Sequence, residues 1–140
     1  MIHSGIAMLK SSMLTATALL LSLCSTNIAN AQNSPKGPRA NVRLANEERK
    51  MIQVKTILAN PRLVSAKPSC EVTSFVISFQ PEGGLIYGPF RTDGATLKPE
   101  HCKYLKEKED ANVRIFLEHI HLSCNGQDVT EPPIVISSFP

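Results

Sequence analysis

The stretch NVRIFLEHIHL, residues 112–122, decides how this chain folds. Apolar residues occupy every second position of its first half: Val113, Ile115 and Leu117. This is the period of a half-buried β-strand. Ile120 and Leu122 continue the same apolar face only if the alternation slips by one residue near Glu118. A β-bulge produces such a slip, because it adds one residue to one strand of a pair. The stretch therefore predicts a long strand with a bulge near Glu118.

Other stretches around this one also have strand character. CEVTSFVISF, residues 70–79, is rich in β-branched and aromatic residues and alternates between two faces. We expect one face to carry Thr73, Phe75, Ile77 and Phe79. LIYGPF, residues 85–90, is a shorter candidate, and Pro89 suits an edge position because it has no N–H to donate. PPIVISSF, residues 132–139, is the last candidate strand, and PEGG and NG are the turns between strands.

A short helix is predicted to begin near Pro99. The missing N–H of a proline is harmless in the first turn, and Glu100 favours the positive end of the helix dipole. Cys102 and Leu105 form a narrow apolar stripe. Several short strands, tight turns and one short helix predict a mostly β fold, a small immunoglobulin-like β-sandwich.

The basic segment at residues 42–69 allows two interpretations. NEERKMIQV could open a helix with Asn46 as its N-cap, whereas KMIQVKTIL could form a strand. Ile52, Val54 and Thr56 would then share one face. We favour a partly strand-forming segment, ended by the turn at Asn60.

The start of the chain has the features of a secretory signal peptide. Residues 1–31 combine Lys10, an apolar run at residues 13–24 and a small-x-small site ending at Ala31. Two alternatives are an uncleaved anchor and lipidation at Cys24. Cleavage after Ala31 would leave 109 residues, with a flexible linker at residues 32–41. We therefore predict a periplasmic or secreted protein with no stable membrane span after cleavage.

The distribution of charge and the cysteines restrict which partners and which class of protein are possible. Residues 32–67 carry a net charge of +6, and residues 68–140 carry −4. No aromatic residues lie among the basic ones for base stacking, so nucleic acid is not expected as a partner. Cys70, Cys102 and Cys124 allow three single disulfide pairings. Cys70 with Cys124 is favoured because both lie at strand ends, and no CxxC spacing suggests zinc or redox chemistry.

Three histidines of the predicted domain are candidate metal ligands. His119 and His121 alternate on one strand, and His101 could supply a third ligand. The simpler interpretation is an exposed polar face, so no metal and no cofactor is predicted. The run KEKED, residues 106–110, is typical of a solvated helix end, and no catalytic constellation stands out. The protein is therefore not expected to be an enzyme.

From Cys70 onward the chain carries five motifs in a fixed order: VTSFVISF, DGATLKPE, KYLKEKEDANVRIFLEHI, NGQ and PIVISSF. The helix start among them has Gly94, Leu97, Pro99 and Glu100 at set positions. In this order of motifs the chain resembles the C-terminal domain of GldM, also called PorM. That protein is the periplasmic shaft of the type IX secretion and gliding-motility machine of Bacteroidota. The resemblance implies a stand-alone domain at residues 70–140 that contacts other proteins.

The function predicted from these observations is protein–protein contact in the cell envelope. Envelope or secretion-machinery proteins are the expected partners, and exposed residues of the edge strand are the expected contacts: Tyr87, Phe90 and Arg91. The alternative is a periplasmic protein that binds a metal or a small ligand through His119 and His121.

Overall fold

Strands and helices alternate irregularly along residues 41–140, the part of the chain that the computed structural model describes. The strands are β1 (Val42–Leu44), β2 (Met51–Gln53), β3 (Leu63–Ser65), β4 (Cys70–Pro81), β5 (Tyr87–Asp93), β6 (Val113–Cys124), β7 (Gln127–Glu131) and β8 (Ile134–Phe139). The helices are α1 (Val54–Ala59) and α2 (Pro99–Glu107). The predicted signal peptide, its cleavage after Ala31 and nearly all of the predicted linker lie outside the described residues.

Strand β6 lies at the centre of the larger, six-stranded sheet. It pairs with β4 along its whole length, and on its other side with β8 and then with β7. The strand order is β2-β8-β6-β4-β5, with β7 beside the second half of β6. Only β2 and β8 run parallel among these pairs. A second, two-stranded sheet joins β1 and β3.

The predicted bulge in β6 is confirmed. Val76 pairs with Glu118, but Ser74, two residues earlier, pairs with His121, so β6 contains one extra residue. His119 lies there with a positive φ of 47°, a backbone conformation common at bulges. Ile120 and Leu122 return to the core face and are fully buried. The slip in the apolar pattern thus corresponds to a physical change of register.

Strand β4 has a compensating irregularity that the sequence pattern did not show. Val72 pairs with Leu122 and Ser74 with His121, so here β4 contains the extra residue. Val72 is therefore buried and Thr73 is exposed. The expectation that Thr73 shares a face with Phe75 is wrong, because the register shift rotates the strand between them.

One face of the six-stranded sheet forms the core. Phe75, Ile77 and Phe79 of β4 lie beside Ile115 and Leu117 of β6, and all are buried. Residues of the basic segment belong to the same hydrophobic cluster: Leu44, Ile52, Val54, Ile57 and Leu63. Burying a side chain of this size contributes about 1.5–3 kcal/mol. The basic segment is therefore part of the folded core.

The prediction of a mostly β fold is confirmed, with two corrections. Residues 41–140 contain two helices instead of the one predicted, and residues 54–59 form α1, where the sequence pattern favours a strand. Val54 and Ile57, three residues apart, point together into the core, which is helical spacing. In so short a stretch the two periods are hard to separate, and packing against the core decided between them. Buried residues of the two helices and of the β1–β3 pair belong to the same hydrophobic cluster as those of the large sheet.

A disulfide joins Cys70 and Cys124, which face each other at the ends of β4 and β6. The two cysteines are 54 residues apart in sequence. Cys102 is a free cysteine on α2, and burial raises the pKa of its thiol. The disulfide therefore ties together the two longest strands at one end of the sheet.

Replacing both bridged cysteines (Cys70→Ser with Cys124→Ser) should lower the free energy of unfolding by about 4 kcal/mol. The reason is that an open chain gains the loop entropy that the bridge removes from the unfolded state. Urea unfolding followed by circular dichroism measures the change. Cys102→Ser is the control and should change the unfolding free energy much less. Equal stability of the double variant and the wild type would contradict this account.

Candidate interaction surface

The tip of the β4–β5 hairpin exposes a run of apolar side chains. Leu85 is 91% exposed, Ile86 59% and Tyr87 41%, and they directly follow the turn at residues 82–84. Among residues 41–140 the other large hydrophobic residues with high exposure are Met51 and Val135. Apolar side chains grouped on a surface, as at this tip, are typical of interaction sites.

Sequence reasoning identified Tyr87 but missed Leu85 and Ile86. The sequence pattern assigns Leu85 and Ile86 to the start of a strand, whereas β5 begins at Tyr87. Two adjacent apolar residues after Gly83 and Gly84 do not alternate as a half-buried strand does. That break in alternation was the available signal for an exposed apolar loop.

Hydrogen bonds hold the base of the hairpin in place. The backbone N–H of Glu82 donates to the carbonyl oxygen of Asn112 at 2.9 Å, and Asn112 Nδ2 donates to Glu82 Oε2 at 3.0 Å. The N–H of Gly84 closes the turn onto the carbonyl oxygen of Pro81 at 2.9 Å. The turn is therefore clasped to the segment that precedes β6, and the apolar tip extends from an anchored base.

Strand β5 approaches β4 closely at Gly88. This glycine has a φ of +128°, which side-chain-bearing residues rarely adopt. A Cβ added there would lie 3.0 Å from the carbonyl oxygen of Ile77 and from the Cα of Ser78. Both are backbone atoms that cannot move aside cheaply. Gly88 thus allows the hairpin to close just beyond its exposed tip.

An aromatic cluster lies beneath the tip. Tyr87 stacks on Tyr104 of α2 with ring centroids 4.5 Å apart and planes 15° apart. Tyr87 also contacts Phe90 at 4.7 Å, and Phe79 contacts Tyr104 at 5.3 Å. Burial, followed by the neighbouring Tyr87, raises the pKa of Tyr104. Ring contacts of this kind contribute beyond their buried area, so Tyr87 is held in a defined orientation.

The three predicted contact residues are divided between two faces. Phe90 pairs with Ile77 on the core side of the sheet and is partly buried in the aromatic cluster. Arg91 pairs with Val76 on the opposite face, and its exposed Nε lies 3.5 Å from Asp93 Oδ1. The structure therefore groups Tyr87 with Phe90 and places Arg91 elsewhere.

His101 is fully buried within the aromatic cluster. Its ring lies 5.7 Å from that of Phe79 and 5.5 Å from that of Phe90, measured between centroids. Its Nδ1 accepts a hydrogen bond of 3.3 Å from the backbone N–H of Lys98 at the start of α2. Its Nε2 has no hydrogen-bond partner within residues 41–140. This histidine caps the helix and fills the core.

The pKa of His101 lies below its usual value. Burial is the main cause, and the positive charge of Lys98 adds to it, whereas the carboxylate of Glu100 opposes it. A proton on Nδ1 would also replace the acceptor that holds the Lys98 N–H. The folded protein therefore favours the neutral imidazole.

The other two histidines lie on the bulged part of β6, away from the ring contacts of His101. His119 is exposed, and His121 is half-buried between Ser74 of β4 and Thr130 of β7. Across residues 41–140, no three His, Cys, Asp or Glu side chains converge in a way that could hold a metal ion. The structure does not bring His101, His119 and His121 together as ligands.

No family model matches this chain, and no curated protein or solved structure matches it either. None of the helices within residues 41–140 is long and apolar enough to cross a membrane.

Gly88→Ala should destabilise the protein by roughly 2–4 kcal/mol, because the added Cβ meets both an unfavourable φ and backbone atoms of β4. Gly83→Ala is the matched control. Gly83 also has a positive φ, but its Cβ would meet nothing within 4 Å, so a loss of about 1 kcal/mol is expected. Thermal and urea unfolding measure both. Equal losses would contradict the close approach at Gly88.

Acid should weaken the fold through His101. The unfolded chain takes up the proton near the usual pKa of 6.5, whereas the folded protein resists it. The unfolded state therefore binds more protons below about pH 6.5. The free energy of unfolding then falls with decreasing pH, by up to about 1.4 kcal/mol per pH unit, until the folded pKa is reached.

Urea unfolding between pH 7.5 and 5 measures this slope. His101→Asn keeps a hydrogen-bond acceptor but cannot titrate, so its slope should be shallower than that of the wild type, whatever its absolute stability. His119→Asn is the exposed control and should retain the wild-type slope. An unchanged slope in His101→Asn would show that another group carries the pH dependence.

Proposed function

We propose that this protein is an exported, non-enzymatic β module that contacts other proteins of the cell envelope through the β4–β5 hairpin. One observation carries the proposal: Leu85, Ile86 and Tyr87 are presented together at the hairpin tip. Each of the first two would contribute about 1.5–3 kcal/mol if a partner buried it fully. In the isolated protein these two side chains stay exposed to water and contribute no such stabilisation.

The anchoring of the tip supports a binding role. The Glu82–Asn112 contacts clasp the turn, and the stack of Tyr87 on Tyr104 holds the adjoining aromatic side chain. Binding loses less entropy when the contact residues are already ordered. We expect Tyr87 to form the rim of the contact and the two aliphatic side chains its centre.

The edge of β5 limits how a partner can bind. Strand β5 is the last strand in the order of the large sheet, so its outer edge has no strand neighbour within residues 41–140. Pro89 lies in this strand and has no N–H to donate. A partner strand therefore cannot form an unbroken row of backbone hydrogen bonds along β5. Side-chain contacts at the tip are the favoured way for a partner to bind.

Two observations support an envelope location. The pattern of residues 1–31 is that of a cleavable signal peptide, which implies the periplasm or secretion. The Cys70–Cys124 disulfide is typical of an oxidising compartment. The resemblance of residues 70–140 to the C-terminal domain of GldM agrees with this setting. Proteins of the envelope or of its secretion machinery are accordingly the proposed partners.

Removing the apolar tip should strongly reduce partner capture while leaving the fold intact. Tagged wild-type protein and the variant Leu85→Ser with Ile86→Ser are crosslinked in envelope fractions, purified and quantified by mass spectrometry. A specific partner should fall by about tenfold or more in the variant, because tenfold corresponds to only 1.4 kcal/mol.

Val135→Ser is the matched control, since Val135 is 45% exposed but lies on β8. It should capture the partner as the wild type does, and circular dichroism should show the same fold for all three proteins. Equal capture by the tip variant, or no protein above an untagged control, would overturn the proposal.

A further inference from the structure

A cleft of about 370 Å³ lies on the outer face of the large sheet, at the end opposite the disulfide. Its floor is formed by β4, β6 and β8, and the turn after β4 forms one wall. Pockets that hold small ligands usually measure about 300–1,000 Å³. The cleft is therefore large enough for a small molecule or for the end of a peptide.

Three polar side chains cross the floor of this cleft in one row. Gln80 of β4 pairs with Arg114 of β6, and Arg114 pairs with Ser137 of β8. Met51 of β2 continues the row beside Ser137. Side chains paired directly across strands lie about 4.5–5.5 Å apart at Cβ and share one face. An amide, a guanidinium and a hydroxyl group are thus aligned on the outer face.

These donor groups are free to bind a ligand. Within residues 41–140, the side chains of Arg114, Gln80 and Ser137 make no ion pair or hydrogen bond. Within residues 41–140, Arg43, Arg62 and Arg91 lie within 4 Å of a carboxylate, whereas Arg49 and Arg114 do not, and of these two only Arg114 lines the cleft. An unpaired guanidinium flanked by two further donors is suited to a carboxylate, which it can bind through two parallel hydrogen bonds.

The walls of the cleft restrict the ligand further. Phe139, Pro81 and Met51 supply apolar surface beside the polar row. Glu82 lines the same cleft with its carboxylate, to which Asn112 Nδ2 already donates. Arg114 is the one cationic side chain among the described residues that line the cleft, and Glu82 opposes any negative charge beyond the carboxylate that Arg114 can pair. The chemistry therefore favours a single carboxylate attached to a short apolar group.

We propose that this cleft binds such a monocarboxylate, with Arg114 as its anchor and with Gln80 and Ser137 as flanking donors. The apolar part of the ligand packs on Phe139 and Met51. Either a free aliphatic acid or the C-terminal residue of a peptide presents this chemistry. The inference is independent of the hairpin tip, because none of its three apolar side chains lines the cleft.

The test is a nuclear magnetic resonance titration of the full chain, labelled with ¹⁵N. Butyrate is the probe, and butyramide is the neutral control of the same shape. Butyrate should give saturable shifts at the Arg114 side chain and the Ser137 amide, with a Kd on the order of millimolar. Butyramide should not. No saturable shift, or an equal response to butyramide, would overturn the proposal.

Matched arginine variants locate the anchor. Arg114→Gln should weaken butyrate binding by about tenfold or more, and Arg114→Lys should bind with intermediate affinity, since lysine keeps the charge but not the paired donors. Arg91→Gln removes a charge elsewhere on the sheet and should bind as the wild type does. Unchanged affinity in Arg114→Gln would contradict the assignment.

A short peptide with a free C-terminus, compared with its amidated form, separates the two sources of the carboxylate. If the free peptide binds more tightly than butyrate, and if amidation abolishes that binding, the ligand is the C-terminus of a peptide. Binding of butyrate with no binding of either peptide identifies a free acid. Both results support the carboxylate site, whereas binding of neither probe would refute it.

Discussion

The pairing of β6 with β4, shifted by one residue at His119, is the constraint on which the rest of the fold depends. Without the shift, Ile120 and Leu122 would face water, because a slip of one residue turns a strand over. With it, both halves of β6 place their apolar residues in one core. The same point divides the partners of β6, since β8 pairs with Val113–Leu117 and β7 with Ile120–Cys124. A single extra residue therefore allows one long strand to pair with two different strands on the same side and to face one continuous core along its whole length.

The two ends of the β4–β6 pair differ in character. One end is closed by the Cys70–Cys124 bridge, which limits the freedom of the unfolded chain. The other end carries the apolar hairpin tip, the clasp between Glu82 and Asn112, and the cleft at Arg114. Both candidate binding surfaces lie on an end that is ordered by hydrogen bonds and by ring stacking. The covalent bond is placed where no binding surface is proposed.

Helix α2 joins the core to the hairpin through aromatic contacts. Its first turn is capped by the buried His101 ring, and Tyr104 in its middle supports Tyr87. A nine-residue helix has little stability of its own, so these contacts hold it in place. Phe79 contacts both this imidazole and the ring of Tyr87, so one core side chain packs against the helix cap and the hairpin together.

Local pattern alone was sufficient for the long strands, the bulge near Glu118, the start of α2 at Pro99 and the turn at Asn125, because each depends on residues close together in sequence. Three possible cysteine pairings remained open until β4 and β6 were in register. Only the tertiary structure decided that residues 54–59 form a helix, that Val72 replaces Thr73 in the core and that His101 lies apart from His119 and His121. The row of Gln80, Arg114 and Ser137 likewise exists only through the pairing of strands distant in sequence. Periodicity reports which face of its own element a residue occupies, whereas register between strands determines which side chains meet.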